Sequence, residues 1–364
     1  MKIDELETIP IAIDRNEVFR ISTGSSLTAE NVIVKVRSDN VTGWGNASAN
    51  SVTQESVESI LKASEGMRSE VEGKDIELEE VWEKLREKLP GNPAAIAGLD
   101  IALHDLKGKL EEKKIWDMYG GREQGVLTDR TIGLMTKTET REHASKFIEK
   151  GFKAIKIKIG FGVLEDLRRI QAVRDIVGKD TDIWVDANQA FTPEEAITLC
   201  QKLKNLDIQF VEQPVREGDL EGLKKVTSET DIPIMADETI KSPEMAEKIC
   251  TEELADMINI KLMKSAGLTG GRKIVEIMED YSVQGMVGCM GETSISIAAG
   301  AHLHQTTENL RYADLDSHFM LSDNIASGLD FKDGKLWTSD KPGLGVDVDK
   351  EKMEDHRMEL EAIS

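Results

Sequence analysis

The chain has 364 residues, and its 46 Lys plus Arg stand against 68 Asp plus Glu, a formal net charge of −22. That balance excludes a nucleic-acid binder, which needs clustered cations, and disfavours an anionic membrane surface. Hydrophobic residues make up 39%, enough for a sizeable core at this length, with no run long enough to span a bilayer. The N-terminus carries early acids and no targeting pattern, and Cys200, Cys250 and Cys289 are odd in number without metal-site spacing. A reduced, cytoplasmic setting is expected.

In chain order, Leu6–Ile13 and Asn31–Val36 read as strands, and Val36–Trp44 turns through Ser38-Asp39-Asn40. Ser56–Val71 and Leu78–Leu89 show helical spacing. Asn92-Pro93 then reads as an N-cap with proline at the first helical position. Behind it Ile96, Leu99, Leu103, Leu106 and Leu110 fall on one helical face. Residues 1–124 are therefore expected to form an α+β capping domain.

A different rhythm begins near residue 125. Apolar runs recur at Thr131–Leu134, Ala154–Ile159, Ile183–Val185, Ile208–Val211, Ile232–Met235, Met257–Ile260, Gly285–Val287 and Leu310–Tyr312. They start about 23 to 29 residues apart, room for one strand, one helix and two loops. Amphipathic stretches such as Arg141–Lys150, Leu164–Val177, Pro193–Leu203 and Pro243–Cys250 lie between them. An open doubly wound sheet gives the same alternation, but eight units favour a (β/α)8-type barrel over 125–325. Residues 326–364 are expected to pack back on the capping domain. Gly267–Gly271 reads as the loop after the sixth strand, His302 and His304 as packing or surface residues, and Asp347–Met353 as a solvated helix or tail.

Polar residues sit one step past the apolar runs, where a parallel barrel gathers them at its C-terminal mouth. Asp186, Glu212 and Asp237 end three successive strands. Three inward carboxylates repel unless something cationic intervenes. Oxygen ligands without His or Cys favour one hard divalent ion, Mg2+ first; salt bridges to nearby lysines are the other reading. Lys158 lies two strands before the middle carboxylate and Lys261 two strands after it, so the two ammonium groups face each other. Lys156 shares a strand with Lys158 and is expected either to turn away or to reach substrate at the mouth.

These residues resemble the enolase superfamily, in its muconate-lactonizing-enzyme subgroup, over nearly the whole chain. GWGNAS at 43–48 and AGLDIALHDLKGK at 97–109 resemble its capping domain; KIKIG, WVDANQA, FVEQPV, MADETI, NIKLMKSAGLTGG and GCMGETSIS resemble its successive barrel motifs. The resemblance implies Mg2+ on Asp186, Glu212 and Asp237, with Lys158 and Lys261 as opposed acid and base. Asn188 and Glu238 then orient a lysine or a metal ligand. Asp314-Leu-Asp316 resembles the DxD motif of dipeptide epimerases, where two carboxylates hold the substrate's ammonium group; capping of the next helix is the structural alternative. The implied reaction inverts the α-carbon of a dipeptide's second residue by proton removal on one face and return on the other. N-acylamino-acid racemase or o-succinylbenzoate synthase is the alternative within the subgroup, and a non-catalytic dipeptide-binding barrel the alternative outside it. Homo-oligomers are expected by analogy.

The sequence departs from the pattern in places. L-Ala-D/L-Glu epimerases resemble FKTALRT in the first hairpin, where an arginine reads the Glu side chain; here FRISTGSS places Gly24 at that position, so a second residue other than Glu is expected. Asn46 stands where the family often has Glu. Gly291 replaces a bulkier apolar residue and is expected to widen the pocket for the N-terminal residue. Ser317-His318-Phe319 replaces an expected Gly-Pro.

Overall fold

The computed structural model describes residues 1–359. Its N-terminal region is an antiparallel sheet of β1 (Glu5–Ile21), β2 (Gly24–Ser38) and β3 (Val41–Ser48). The two strands read from the sequence are the inner parts of β1 and β2, which run on to a hairpin where Ile21 pairs with Gly24. The outer arms bury few side chains, so they lack the apolar alternation from which a strand is read.

Three helices cover this sheet: α1 (Val57–Val71), α2 (Leu78–Lys88) and α3 (Pro93–Leu110). Asn92 occupies the N-cap of α3, but its side chain makes no capping bond. The buried Glu55 carboxylate instead accepts from Ala94 N (2.7 Å) and Ala95 N (3.0 Å), satisfying two of the orphan donors of the first turn. α3 is buried on nearly every side rather than along one stripe, because the barrel covers what the sheet leaves open. Glycine makes that possible: a Cβ on Gly45 would collide with the Gly98 carbonyl, and one on Gly98 would meet Val34 Cγ2 at 2.9 Å.

After α4 (Ile115–Met118) and β4 (Val126–Leu127) come eight parallel strands: β5 (Arg130–Ile132), β6 (Ala154–Lys158), β7 (Asp182–Asp186), β8 (Ile208–Glu212), β9 (Ile234–Ala236), β10 (Met257–Lys261), β11 (Gln284–Gly288) and β12 (Leu310–Asp314). They are hydrogen-bonded in sequence order. Asp129 N donating to Ala313 O (3.2 Å) draws the last strand to the first. Every expected barrel run falls on one of these strands. Seven helices alternate with them: α5 (Lys137–Glu149), α6 (Val163–Val177), α7 (Pro193–Leu203), α8 (Leu220–Glu229), α9 (Pro243–Glu252), α10 (Leu268–Asp280) and α11 (Ser294–His304). A 3-10 turn, Ser317–Met320, follows β12 in place of an eighth helix. α10 begins at Leu268, so most of the expected Gly267–Gly271 loop is helix. His302 and His304 lie buried on α11.

Residues two apart on a strand share a face. Ala154, Trp184, Phe210, Met235, Met257, Met286 and Tyr312 form the apolar lower layer of the barrel. Two residues further along, the same inward positions hold Lys156, Asp186, Glu212, Asp237, Asn259 and Asp314. By this parity Lys156 and Lys158 both point inward, so the expectation that one turns away was wrong.

The C-terminal segment returns to the N-terminal region. β13 (Ala326–Ser327) pairs with β16 (Asp347–Val348), and β14 (Leu329–Lys332) and β15 (Lys335–Thr338) extend a small sheet from β4. Leu344 N donates to Asp105 of α3 (2.8 Å), and Ala12 N of β1 to His356 O (3.0 Å). The expected solvated run carries α12 (Lys350–Asp355), with Met353 buried. Residues 360–364 of this segment lie outside the described residues. No described helix is long and apolar enough to cross a membrane.

Candidate active site

The chain places six charged groups, Lys158, Asp186, Glu212, Asp237, Lys261 and Asp314, at the mouth of the barrel, because they are the last inward positions at the ends of the strands from β6 to β12 other than β11, which ends on Gly288. Asp186, Glu212 and Asp237 each present one oxygen, all within 4.8 Å of one another, and all three side chains are buried. Lys158 reaches Asp186 Oδ2 (2.5 Å) from β6. Lys261 reaches Asp237 Oδ2 (2.7 Å) from β10. β6 and β10 stand four strands apart in an order of eight, so the two lysines approach from opposite walls.

Lys156 was expected to touch substrate. It is instead fully buried and lies 3.0 Å from Asp186 Oδ2, 2.8 Å from Glu212 Oε2 and 2.7 Å from Asp314 Oδ2. Its role is therefore internal countercharge; Lys158, one inward position higher, takes the cavity-facing place. Lys264, which sequence reasoning passed over, caps the other side by pairing with Asp237. It sits in the tight turn after β10, where a lysine reads as solvent-facing.

The remaining groups hold these in place. Asn188 N and Nδ2 donate to Asp186 (2.8 and 3.3 Å), and Nδ2 also donates to Glu238 Oε1 (3.1 Å). Asn259 Nδ2 donates to Glu212 Oε1 (2.8 Å). Asp316 accepts from Arg130 Nη1 and Thr131 N, both at 2.8 Å. Its side chain makes no capping bond to the following turn, so the structural alternative for this motif does not hold. Asp129, also unanticipated, is fully buried with both carboxylate oxygens unpartnered; burial and the nearby Asp314 push its pKa well above the usual range.

The electrostatics separate the carboxylates. Burial raises the pKa of Asp186, but Lys156 and Lys158 outweigh it and hold the group below its ordinary value. Burial similarly opposes the ionisation of Asp237, which Lys261 and Lys264 more than offset. Glu212 is pushed up to about 8 by burial and by Asp186. Glu238 rises to about 7 by burial and by Asp237. Burial disfavours the Lys261 ammonium, yet Asp237 holds its proton above the ordinary lysine value.

These residues fit a divalent cation. Glu212 Oε2 is buried and has no hydrogen-bond partner; the Lys156 ammonium beside it is close but out of line for a bond. A third carboxylate that resists ionising next to two ionised ones is relieved by a dication at their meeting point. The all-oxygen donor set is that of Mg2+. A second trio, Cys289 with Asp314 and Asp316, is less suited, since burial keeps the Cys289 thiol protonated well above its ordinary range.

A cavity of about 610 Å³ opens above the cluster, between the barrel mouth and the β1–β2 hairpin. Lys158, Lys261, Asp237, Asn188, Glu238, Asp314 and Asp316 line it from the barrel. Arg15, Phe19, Gly24 and Ser26 line it from the hairpin. Gly24 has nothing within 4 Å of where a Cβ would lie. The hairpin is docked by Ser22 Oγ on Asn188 O (2.7 Å) and by Leu134 N on Arg20 O (2.8 Å). Asn46 ties β3 to the barrel: its Oδ1 accepts from Thr293 N (2.9 Å) and its Nδ2 donates to Asn31 (2.8 Å). Asn31 in turn donates to Gly291 O (3.3 Å).

Residues 6–120 match the family model of the mandelate racemase / muconate lactonizing enzyme N-terminal domain, and residues 139–352 that of the enolase C-terminal domain-like family. The chain is 36% identical to the L-Ala-D/L-Glu epimerase of Bacillus subtilis over 95% of this chain and 97% of that one. The substrate-liganded structure of that epimerase superimposes with a TM-score of 0.93. The hydrophobic dipeptide epimerase of Enterococcus faecalis is 34% identical, covering 95% of this chain and 99% of that one. Its complex with Mg and L-Leu-L-Tyr gives a TM-score of 0.92. The N-succinyl-L-Arg/Lys racemase of Bacillus cereus is 30% identical over 98% of both chains, and its crystal structure gives 0.94.

Proposed function

The chain belongs to the mandelate racemase / muconate lactonizing enzyme family of the enolase superfamily and is an isomerase, as its epimerase and racemase relatives are, and from that premise we propose that it is a Mg2+-dependent dipeptide epimerase. The observation that carries the reading is the pair of lysines on opposite walls of one cavity, flanking a buried three-carboxylate cluster, with two further carboxylates at the end of β12 lining the same cavity. Relatives named as dipeptide epimerases support it.

Asp186, Glu212 and Asp237 hold the metal, and Asn188 and Asn259 orient two of these ligands through their hydrogen bonds. Bound there, Mg2+ supplies a Lewis acid that stabilises charge developing on the substrate's carboxylate as its α-proton leaves. Asp314 and Asp316 hold the N-terminal ammonium group. Each carboxylate is held in place by a cation, Asp314 by Lys156 and Asp316 by Arg130. The second residue's α-carbon then lies between Lys158 and Lys261. The lysine that is neutral takes the proton on one face. The lysine that is charged returns one on the other, inverting the centre. The stereoisomer bound decides which acts first. The open space at Gly24 supports a second residue other than Glu, since no fixed cation stands there.

The alternative is an N-succinylamino-acid racemase, supported by the Bacillus cereus relative. Asp314 and Asp316 weigh against it, because they favour an ammonium over an acyl group at that end. Incubating a dipeptide library with the protein and Mg2+ in D2O tests the two readings. Deuterium at the α-carbon of the second residue is the expected result. Exchange into N-succinylamino acids with none into dipeptides would overturn the assignment.

A further inference from the structure

Arg15 is a cation in the cavity for which the proposed chemistry has no use. It lies on β1 where the pairing with β2 slips, between Asp14 and Phe19. A register slip of this kind re-aims a side chain. The guanidinium points across the cavity to the loop after β11, where a Cβ on Gly291 would stand only 2.8 Å from Arg15 Nη2. Gly291 has φ +91°, a conformation that disfavours other residues, and its carbonyl is pinned by Asn31. A larger residue at 291 would displace the guanidinium from this position. Gly291 was expected to leave a wider pocket. The space it opens is instead occupied by charge.

Arg15 is incompletely used by the protein. Nε donates to Ser26 Oγ (3.1 Å), and the ring of Phe19 lies 5.7 Å away. Among the described residues, no carboxylate forms an ion pair with it and no acceptor takes its other N–H groups. The nearest acids have other partners: Asp316 is held by Arg130, and Glu292 accepts from Met290 N (2.6 Å). Burial is the largest influence on the guanidinium's titration, so it is partly stripped of water. A partly desolvated arginine with free planar donors is suited to a carboxylate, which it binds in bidentate fashion.

Position says which part of the substrate it meets. The metal triad lies on β7, β8 and β9, while Arg15 lies against the loop after β11 and near Asp316 after β12. A dipeptide anchored by its C-terminal carboxylate at the triad and by its ammonium group at Asp314 and Asp316 turns its first side chain toward this end. We infer that Arg15 selects dipeptides whose N-terminal residue is acidic, Glu or Asp, with Gly291 as the residue that admits the guanidinium. The inference rests on the dipeptide reading above and names the substrate class within it.

The test compares α-proton exchange in D2O for L-Glu-L-Leu, L-Gln-L-Leu, L-Leu-L-Glu and L-Leu-L-Gln. A charge-assisted pair in a partly desolvated site predicts kcat/KM about tenfold to a hundredfold higher for L-Glu-L-Leu than for L-Gln-L-Leu. Arg15→Met brings that ratio close to one, mainly through KM, whereas Arg15→Lys keeps part of it. A structural role for Arg15 would lower both rates together and leave the ratio unchanged. Equal wild-type rates for the Glu and Gln substrates, or a Glu preference confined to the second position, overturn the inference and leave the epimerase reading intact. Exchange into N-succinyl-L-leucine with none into any dipeptide overturns both.

Discussion

The barrel mouth and the N-terminal hairpin face each other across one cavity, yet they are built on opposite principles. The mouth is made of short strands whose inward positions are fixed by the barrel, and its lysines and carboxylates are tied to one another, with Glu212 Oε2 and both Asp129 oxygens left without a hydrogen-bond partner. Lys156 touches three carboxylates, and Asp237 two lysines. The hairpin is a long, largely exposed pair of arms with a register slip, docked by a few bonds. Arg15, the hairpin arginine that lines the cavity, has free donors. The comparison separates chemistry, which demands rigid placement, from recognition, which tolerates variation in loops and arms.

The sharpest way to break this division is at the metal. Glu212→Gln or Asp237→Asn removes one charged ligand and leaves a buried lysine without its full partner. Mg2+ affinity measured by calorimetry falls by at least about a hundredfold, with a matching loss of Mg2+-dependent thermal stabilisation. Retained Mg2+ binding in both variants would detach the cluster from the metal.

A second prediction concerns the barrel wall under the N-terminal sheet. Burial holds His302 and His304 down to about 4, against about 6.5 in an unfolded chain. The unfolded state therefore takes up protons first as pH falls. The stabilisation these neutral imidazoles give is fully present above about pH 6.5 and is lost toward pH 4, by up to roughly 3 kcal/mol per histidine. NMR titration should show both rings neutral at pH 5, and His302→Asn should make the acid limb of the stability curve shallower. Rings that titrate near 6.5 would contradict the burial.

Two smaller tests probe the N-terminal region itself. Gly45→Ala forces β3 off α3 and is expected to cost about 1–3 kcal/mol in urea unfolding. Glu55→Ala leaves the Ala94 and Ala95 N–H groups unsatisfied and is expected to cost about 0.5–2 kcal/mol. If the two regions divide labour as described, both variants lower stability while the ratio of rates on different dipeptides stays the same.

The same division governed what could be read from the sequence. Strand periodicity made β5 to β12 legible, and with them the placement of Asp186, Glu212, Asp237, Lys158, Lys261 and the Asp314–Asp316 pair. These residues follow directly on apolar runs. Lys156 was misplaced because the period of two was misapplied: its spacing from Lys158 already put both inside. Lys264 and Arg130 were missed because neither stands where an inward position could be counted. Glu55 caps a helix 39 residues away in the chain, a contact no local pattern encodes. Asn46 was noticed only as a departure, and its use as a tie to Thr293 needed the fold. Arg15 was invisible for a similar reason. Its direction depends on a slip in strand pairing that leaves no mark in composition or spacing.

The central claim is that two lysines on opposite walls serve opposite faces of one carbon. The direct measurement follows α-proton exchange in D2O from each stereoisomer of one substrate dipeptide, with Lys158→Ala and Lys261→Ala. General acid–base groups of this kind contribute about a hundredfold to ten-thousandfold, so both variants lose epimerisation to that extent. Each variant should still exchange deuterium into one stereoisomer, and the two variants into opposite ones. Loss of exchange from the same stereoisomer in both variants, or epimerisation by either at the wild-type rate, would contradict the account.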